Sequence, residues 1–162
     1  MNAFLSSLVL MVMLLCTAPE PAVYEKNYHG NGQLASEGWR MGSQKIKYWK
    51  YYYKNGQLSS QGSYKKAQED GYWYYYNREG RIVKEGHYKQ GVAQDWWIFY
   101  DLAKREKRKI QYDAGKKNGY CLVYKKNTLI RAEKYEQDKR TGQWTSVREF
   151  KRDNPEVSLL RL

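Results

Sequence analysis

Residues 73–97 read WYYYNREGRIVKEGHYKQGVAQDWW, and the stretches on either side can be laid over them. With Gly32, Gly56 and Gly80 placed under one another, the spacings are 56 − 32 = 24 and 80 − 56 = 24. Asn31-Gly32-Gln33-Leu34 then matches Asn55-Gly56-Gln57-Leu58 and Glu79-Gly80-Arg81-Ile82, and Glu37-Gly38, Gln61-Gly62 and Glu85-Gly86 form a second column. Trp49, Trp73 and Trp97 form a third. Carried onward, the step puts Cys121 under the tryptophans, Tyr124 under Tyr52, Tyr76 and Tyr100, and Glu133 under Glu85. A one-residue deletion then brings Gly142-Gln143-Trp144 under Gly71-Tyr72-Trp73. Self-similarity at a fixed period marks a repeat architecture, here of five units.

Each unit has one anatomy. A short aromatic run without Gly or Pro, such as residues 72–76, reads as a strand. Asn55-Gly56 or Glu79-Gly80 follows, and Asn-Gly between strand-like stretches is the strongest short-range hairpin signal. A second strand comes next (residues 57–64 or 81–88), in which Leu58, Ser60 and Gly62 share one face and Tyr64 continues it. The fold class is therefore all-β: an elongated antiparallel meander of five tandem hairpins. Trp73 and Tyr76 are three apart and face opposite sides of an unbroken strand. Either both faces carry aromatics in a single layer, or a bulge near Tyr74 re-aims one of them.

Composition agrees. Among 162 residues, 16% aromatic with 17 Tyr and 3 Phe is unlike an ordinary core. A tyrosine ring packs while its hydroxyl stays solvated, which suits a thin sheet. The +12 formal charge concerns partners rather than fold, because a positive field attracts anionic surfaces and polymers.

Residues 3–18 form an uncharged apolar run closed by Pro19-Glu20-Pro21, too short for a span of about 20 residues and matching the hydrophobic region of a signal peptide. The organisation expected is residues 1–22 as signal peptide or retained N-terminal anchor, 23–153 as the array and 154–162 as a cap, with Leu159-Leu160 folding back over the last strand. Cys16 follows Leu15 and Leu14 where lipidation needs a small residue, so it reads as an apolar cysteine of the leader. Cys121, in a tryptophan column, reads as a packing residue.

The fourth unit departs most. It opens with Ala103-Lys104-Arg105-Glu106-Lys107-Arg108-Lys109-Ile110, and residues 101–152 hold 16 basic against 7 acidic residues, 16 − 7 = +9. Lys104, Arg105, Lys107, Arg108 and Lys109 are the candidate site for an anionic surface, against the plainer reading of a solvated, edge-protecting hairpin. Trp73, Tyr74, Trp96 and Trp97 are the candidate interaction aromatics.

The pattern N-G-x-L-x-S-E-G, an aromatic, a Lys-rich turn and D/N-G-x-W-x-x-Y resembles the MORN repeat variant family, sometimes labelled an antitoxin component. The match covers nearly all of the chain after the leader, clearest in residues 31–52, 55–76 and 79–100. The resemblance implies an elongated hairpin array acting as a scaffold or membrane-associated module, with phospholipid binding suggested for some relatives. The antitoxin label has no residue support, and an exported leader argues against a cytoplasmic toxin. The aromatic run 72–76 with Gly80 and Gly86 is also similar to choline-binding cell-wall repeats, in which rings cage a quaternary ammonium. The Gly-Trp start of such repeats is missing, and Lys or Arg beside the aromatics would repel a cation.

Enzyme chemistry finds little support. His29 and His87 are 87 − 29 = 58 residues apart, not a whole number of repeats, and neither has metal-ligand spacing. Glu69-Asp70 and the Glu136, Asp138 pair lie in turns with no nucleophile or phosphate-cradling motif. The expectation is a non-enzymatic protein without cofactor or metal. Its partner is an anionic membrane or envelope polymer, or an envelope protein read by the aromatic face or sheet edge. No specific nucleic acid is implied.

Overall fold

The computed structural model describes residues 20–157. Most of the leader, with Cys16, and the Leu159-Leu160 part of the cap lie outside the described residues. Eleven strands follow in chain order: β1 (Ala22–Tyr28), β2 (Leu34–Met41), β3 (Gln44–Tyr52), β4 (Leu58–Lys65), β5 (Gln68–Tyr76), β6 (Ile82–Lys89), β7 (Val92–Asp101), β8 (Glu106–Asp113), β9 (Lys116–Lys125), β10 (Thr128–Glu136) and β11 (Lys139–Trp144). Each pairs with its chain neighbours, antiparallel, in one open meander. A short helix, α1 (Val147–Asp153), follows.

The Asn-Gly columns make identical three-residue loops. In the first, the Gly32 amide donates to the His29 carbonyl at 2.9 Å and the His29 amide to Gln33 at 2.8 Å; residues 53–57 and 77–81 repeat both bonds. Gly32, Gly56 and Gly80 have φ of 79°, 83° and 75°, the left-handed conformation that glycine adopts without a Cβ penalty. Return turns at the other end are tighter. Lys66-Ala67, Gln90-Gly91 and Ala114-Gly115 all have two positive φ values, the twist that matches two-residue hairpins.

The glycine and tryptophan columns meet across the sheet. Gly38 pairs with Trp49, Gly86 with Trp73 and with Trp97, and each indole lies so close over a glycine that a Cβ on Gly38, Gly62 or Gly86 would collide with it. Trp49, Trp73 and Trp97 are 1–2% exposed although no second layer of strands covers them, because tyrosine rings and lysine side chains of the same face pack on them. Bulges accompany each tryptophan. Gly38 pairs with Trp49 while Trp39 pairs with Ile46, so Lys47 and Tyr48 are surplus on β3. Asp95 and Trp96 are surplus on β7 in the same way. Two surplus residues keep the alternation in phase. The residue two before each tryptophan column takes a left-handed φ: Lys47 57°, Gly71 87°, Asp95 59° and Gly119 107°. The opened ladder leaves a carbonyl free, and the indole takes it: Trp73 Nε1 donates to Ser63 at 3.1 Å and Trp97 Nε1 to His87 at 3.0 Å. Burying such a ring contributes on the order of 5 kcal/mol.

Trp73 and Tyr76 do face opposite sides: the register shift between Tyr75 and Tyr76 leaves Val83 surplus on the partner strand β6, so β5 itself keeps its alternation. Trp73 stacks on Tyr75 at 6.1 Å, while the Tyr76 hydroxyl accepts from Gln61 Nε2 at 2.7 Å on the other face. Tyr52 donates to Glu37 at 2.7 Å and Tyr100 to Glu85 at 2.6 Å, which accounts for the tyrosine and glutamate columns. Leu58 departs from the sequence reading. Ser59 is bulged, so Leu58 pairs with Tyr52 and lies on the face opposite Ser60 and Gly62.

The fourth and fifth units differ physically. Ile110 replaces the glycine and pairs with Cys121, which replaces the tryptophan, so large and small exchange strands. The deletion lies earlier than the sequence alignment placed it. Lys125 pairs with Thr128 across a two-residue loop, and Glu133, not Lys134, stands opposite Cys121 in the glycine's place. Only Thr141 is surplus between β10 and β11, so alternation slips and Trp144 pairs with Ala132 on the opposite face. There it meets Phe150 of α1 at 5.2 Å. Phe150, 1% exposed, seals Leu122 and Ala132, with Trp96, Tyr120 and Tyr124 around them. Ser146 caps the helix by accepting from the Glu149 amide at 3.3 Å.

Candidate binding surfaces

On the tryptophan face the rings form one ladder: Trp49 to Tyr51 at 6.1 Å, Tyr51 to Trp73 at 6.3 Å, then Tyr75, Trp97 and Phe99. Charged groups close both ends. Glu25 stands opposite Gly38 and pairs with Arg40. At the far end buried Glu133 accepts from Arg131 at 2.6 Å and from Tyr135 at 2.9 Å. Burial pushes its carboxyl pKa up, but the hydrogen bonds from Tyr135 and Arg131 outweigh that, and the net shift is downward.

Lysines lie on these rings. Lys45 Nζ is 4.7 Å from the Trp49 centroid and 4.9 Å from Tyr51. Lys84 Nζ is 4.0 Å from Tyr75 and 5.1 Å from Trp97, and burial lowers its pKa. The ring faces of the first three units are thus engaged by the chain's own cations. Burial also raises the Tyr64 and Tyr75 hydroxyl pKa values, which are raised further by their bonds to Tyr51 and Tyr88.

The predicted site residues do not form one patch. Trp73 and Trp97 are 2% exposed and offer no ring to a partner. Tyr74 is half-buried beside Tyr72, 4.9 Å away, and Trp96 is half-buried next to the helix cluster. Lys104 and Arg105 lie in the β7–β8 loop, where Lys104 pairs with Asp101 at 3.4 Å. Lys107 and Lys109 lie on the helix-bearing face, over Tyr124 at 4.8 Å and over Trp96 at 4.7 Å. Arg108, between them, points to the ladder face and reaches Glu106 at 4.0 Å.

The structure brings together a row that was not picked out from sequence. All hairpin loops of one kind lie along one long edge, and exposed Lys54, Arg78, Arg105, Lys125 and Lys126 line it. None of these five has an ion-pair partner among the described residues. Asn31 Nδ2 donates to the Lys54 carbonyl at 2.9 Å and Asn55 Nδ2 to that of Arg78 at 3.1 Å, stitching the first three loops together. Successive loops are two strands apart, roughly 9.5 Å. The available signal was the 24-residue step from Lys54 to Arg78.

Among the described residues no three His, Cys, Asp or Glu side chains group as a metal site, and no helix is long and apolar enough to cross a membrane. Compared with protein-family profiles and with curated protein sequences, the chain matches none.

Proposed function

We propose that the chain is an exported, non-enzymatic repeat protein of the cell envelope, whose array docks on an anionic lipid or polymer surface along its loop edge. The observation that carries this is the row of exposed cations at Lys54, Arg78, Arg105, Lys125 and Lys126, without ion-pair partners among the described residues, on loops of which the first three are joined by asparagine bonds and the last two by the Lys126 amide to the Arg105 carbonyl. The apolar leader and the resemblance to MORN repeats support the same reading. At about 1 kcal/mol per basic residue near an anionic surface, five cations give on the order of 5 kcal/mol. That is a contact of roughly sub-millimolar strength, so the leader or several copies must add to it.

The test is sedimentation of the full chain with phosphatidylglycerol and phosphatidylcholine vesicles at rising salt. Binding should favour the anionic vesicles, fall steeply with salt and fall further when the five are reversed to Glu. Equal binding by the reversed variant refutes the docking edge, because the leader is common to both proteins. A second reading, a protein-interaction scaffold, rests on the exposed aromatics Tyr24, Trp39 and Tyr48 (36–45% exposed) on the uncovered part of the helix-bearing face. It predicts salt-insensitive partner capture that is weakened by Tyr48→Ala.

A further inference from the structure

The repeat supplies its own control for the irregular fourth unit. One step on from Lys45 is, after Glu69 and Ala93, Lys117, and one step on from Lys84 is Arg108. In the early units these two positions place ammonium groups on Trp and Tyr rings. Where Lys45 has its two rings, Lys117 has Cys121 and Val123, and where Lys84 has its two rings, Arg108 has Phe99 and Cys121. Lys117 keeps one ring among the described residues, Tyr135 at 5.1 Å, and Arg108 keeps a long contact to Glu106 at 4.0 Å with its side chain 49% exposed. Between the two cations lies an open hollow of about 520 Å³, floored by Phe99, Ile110 and Tyr112. Its size falls in the small-molecule range of about 300–1,000 Å³. Asp101 and Lys104, which also border it, satisfy one another.

We propose that this hollow is a binding site for an organic anion with a flat apolar body, an aryl carboxylate or aryl phosphate. The body lies on Phe99, Ile110 and Tyr112, and the anionic group takes Arg108, with Glu106 giving way to it; Lys117 supplies positive potential at the other end. Apolar floor and few convergent polar groups are the usual make-up of a ligand site, and a guanidinium binds carboxylate and phosphate through two donors. The site is independent of the loop edge.

Isothermal calorimetry of the full chain with 1-naphthylacetate, and with neutral 1-naphthylacetamide as comparator, tests it. The acid should bind, and the amide should bind at least about ten-fold more weakly. Arg108→Gln should weaken the acid by a similar factor while leaving the far-ultraviolet circular dichroism unchanged. The double variant Ile110→Gly, Cys121→Trp restores the pair of the earlier units, covers the floor and should abolish binding. Lys45→Gln should have no effect. No heat from the acid, equal binding of acid and amide, or undiminished binding by Arg108→Gln would each overturn the proposal. Should the double variant misfold, Arg108→Gln and the amide still decide.

Discussion

Replacing Gly86 with alanine sets two opposite expectations against each other. In an ordinary strand the change removes chain entropy from the unfolded state and stabilises by about 0.5–1 kcal/mol. Here the new Cβ would stand closer than 3.0 Å to three atoms of the Trp97 ring, a separation real Cβ atoms essentially never show. The ring must lift. It then loses packing, at about 1–3 kcal/mol for an overfilled site, and its 3.0 Å bond to His87, whose orphaned carbonyl costs about 1–3 kcal/mol. The net is a destabilisation of about 1–5 kcal/mol, or a fall in Tm of roughly 2–20 °C for a chain of this size. Thermal and urea unfolding followed by circular dichroism would read it. The Ile110–Cys121 pair makes the argument sharper. Gly86→Ile alone should be severe, Trp97→Cys alone should leave a cavity, and together they should recover at least about 1 kcal/mol of coupling. A Gly86→Ala protein as stable as the parent, or more so, would refute the close-approach account.

Asp95 holds a left-handed φ of 59° where Gly71 and Gly119 occupy the same position. Asp95→Gly should therefore raise stability by up to about 1 kcal/mol in urea unfolding. The folded Glu133 pKa is lowered, so the stability it contributes is present above its unfolded value and lost as pH falls through the folded one. An acid titration of Glu133→Gln should lack that part of the loss while being less stable near neutrality. The Cys121 thiol is buried, and burial pushes its pKa up to about 11. Its peptide should resist iodoacetamide at pH 8 in the native protein and react once urea unfolds the chain, as followed by mass spectrometry.

The meander was legible because Gly38, Gly62 and Gly86 and the tryptophans beside them recur in step, and a period survives substitution at single positions. The pairing of those two columns was not, since nothing in the spacing says that an indole needs a glycine beneath it. Bulges hid the rest. Leu58 lies on the other face because Ser59 is surplus, and Trp144 turns away because a single surplus residue, Thr141, precedes it. Surplus residues carry no distinct composition, so they are invisible until strands are paired. The division of Lys107, Arg108 and Lys109 between two faces was readable from strand alternation alone. Their proximity in sequence concealed it. The loop-edge row needed the fold, because only the stacking of hairpins makes neighbours of side chains a full repeat apart.

The surplus count works as a parity rule. With two extra residues, each unit hands its indole on to the same side, and the column can grow by another copy. With one, the indole is handed to the back, where Phe150 receives it, and growth ends. Length and termination are thus separate instructions, written in different places. Duplicating the middle of the molecule should lengthen it by about 9.5 Å per copy without any redesign of its ends, whereas one inserted or deleted residue before any tryptophan should bring the series to a stop there.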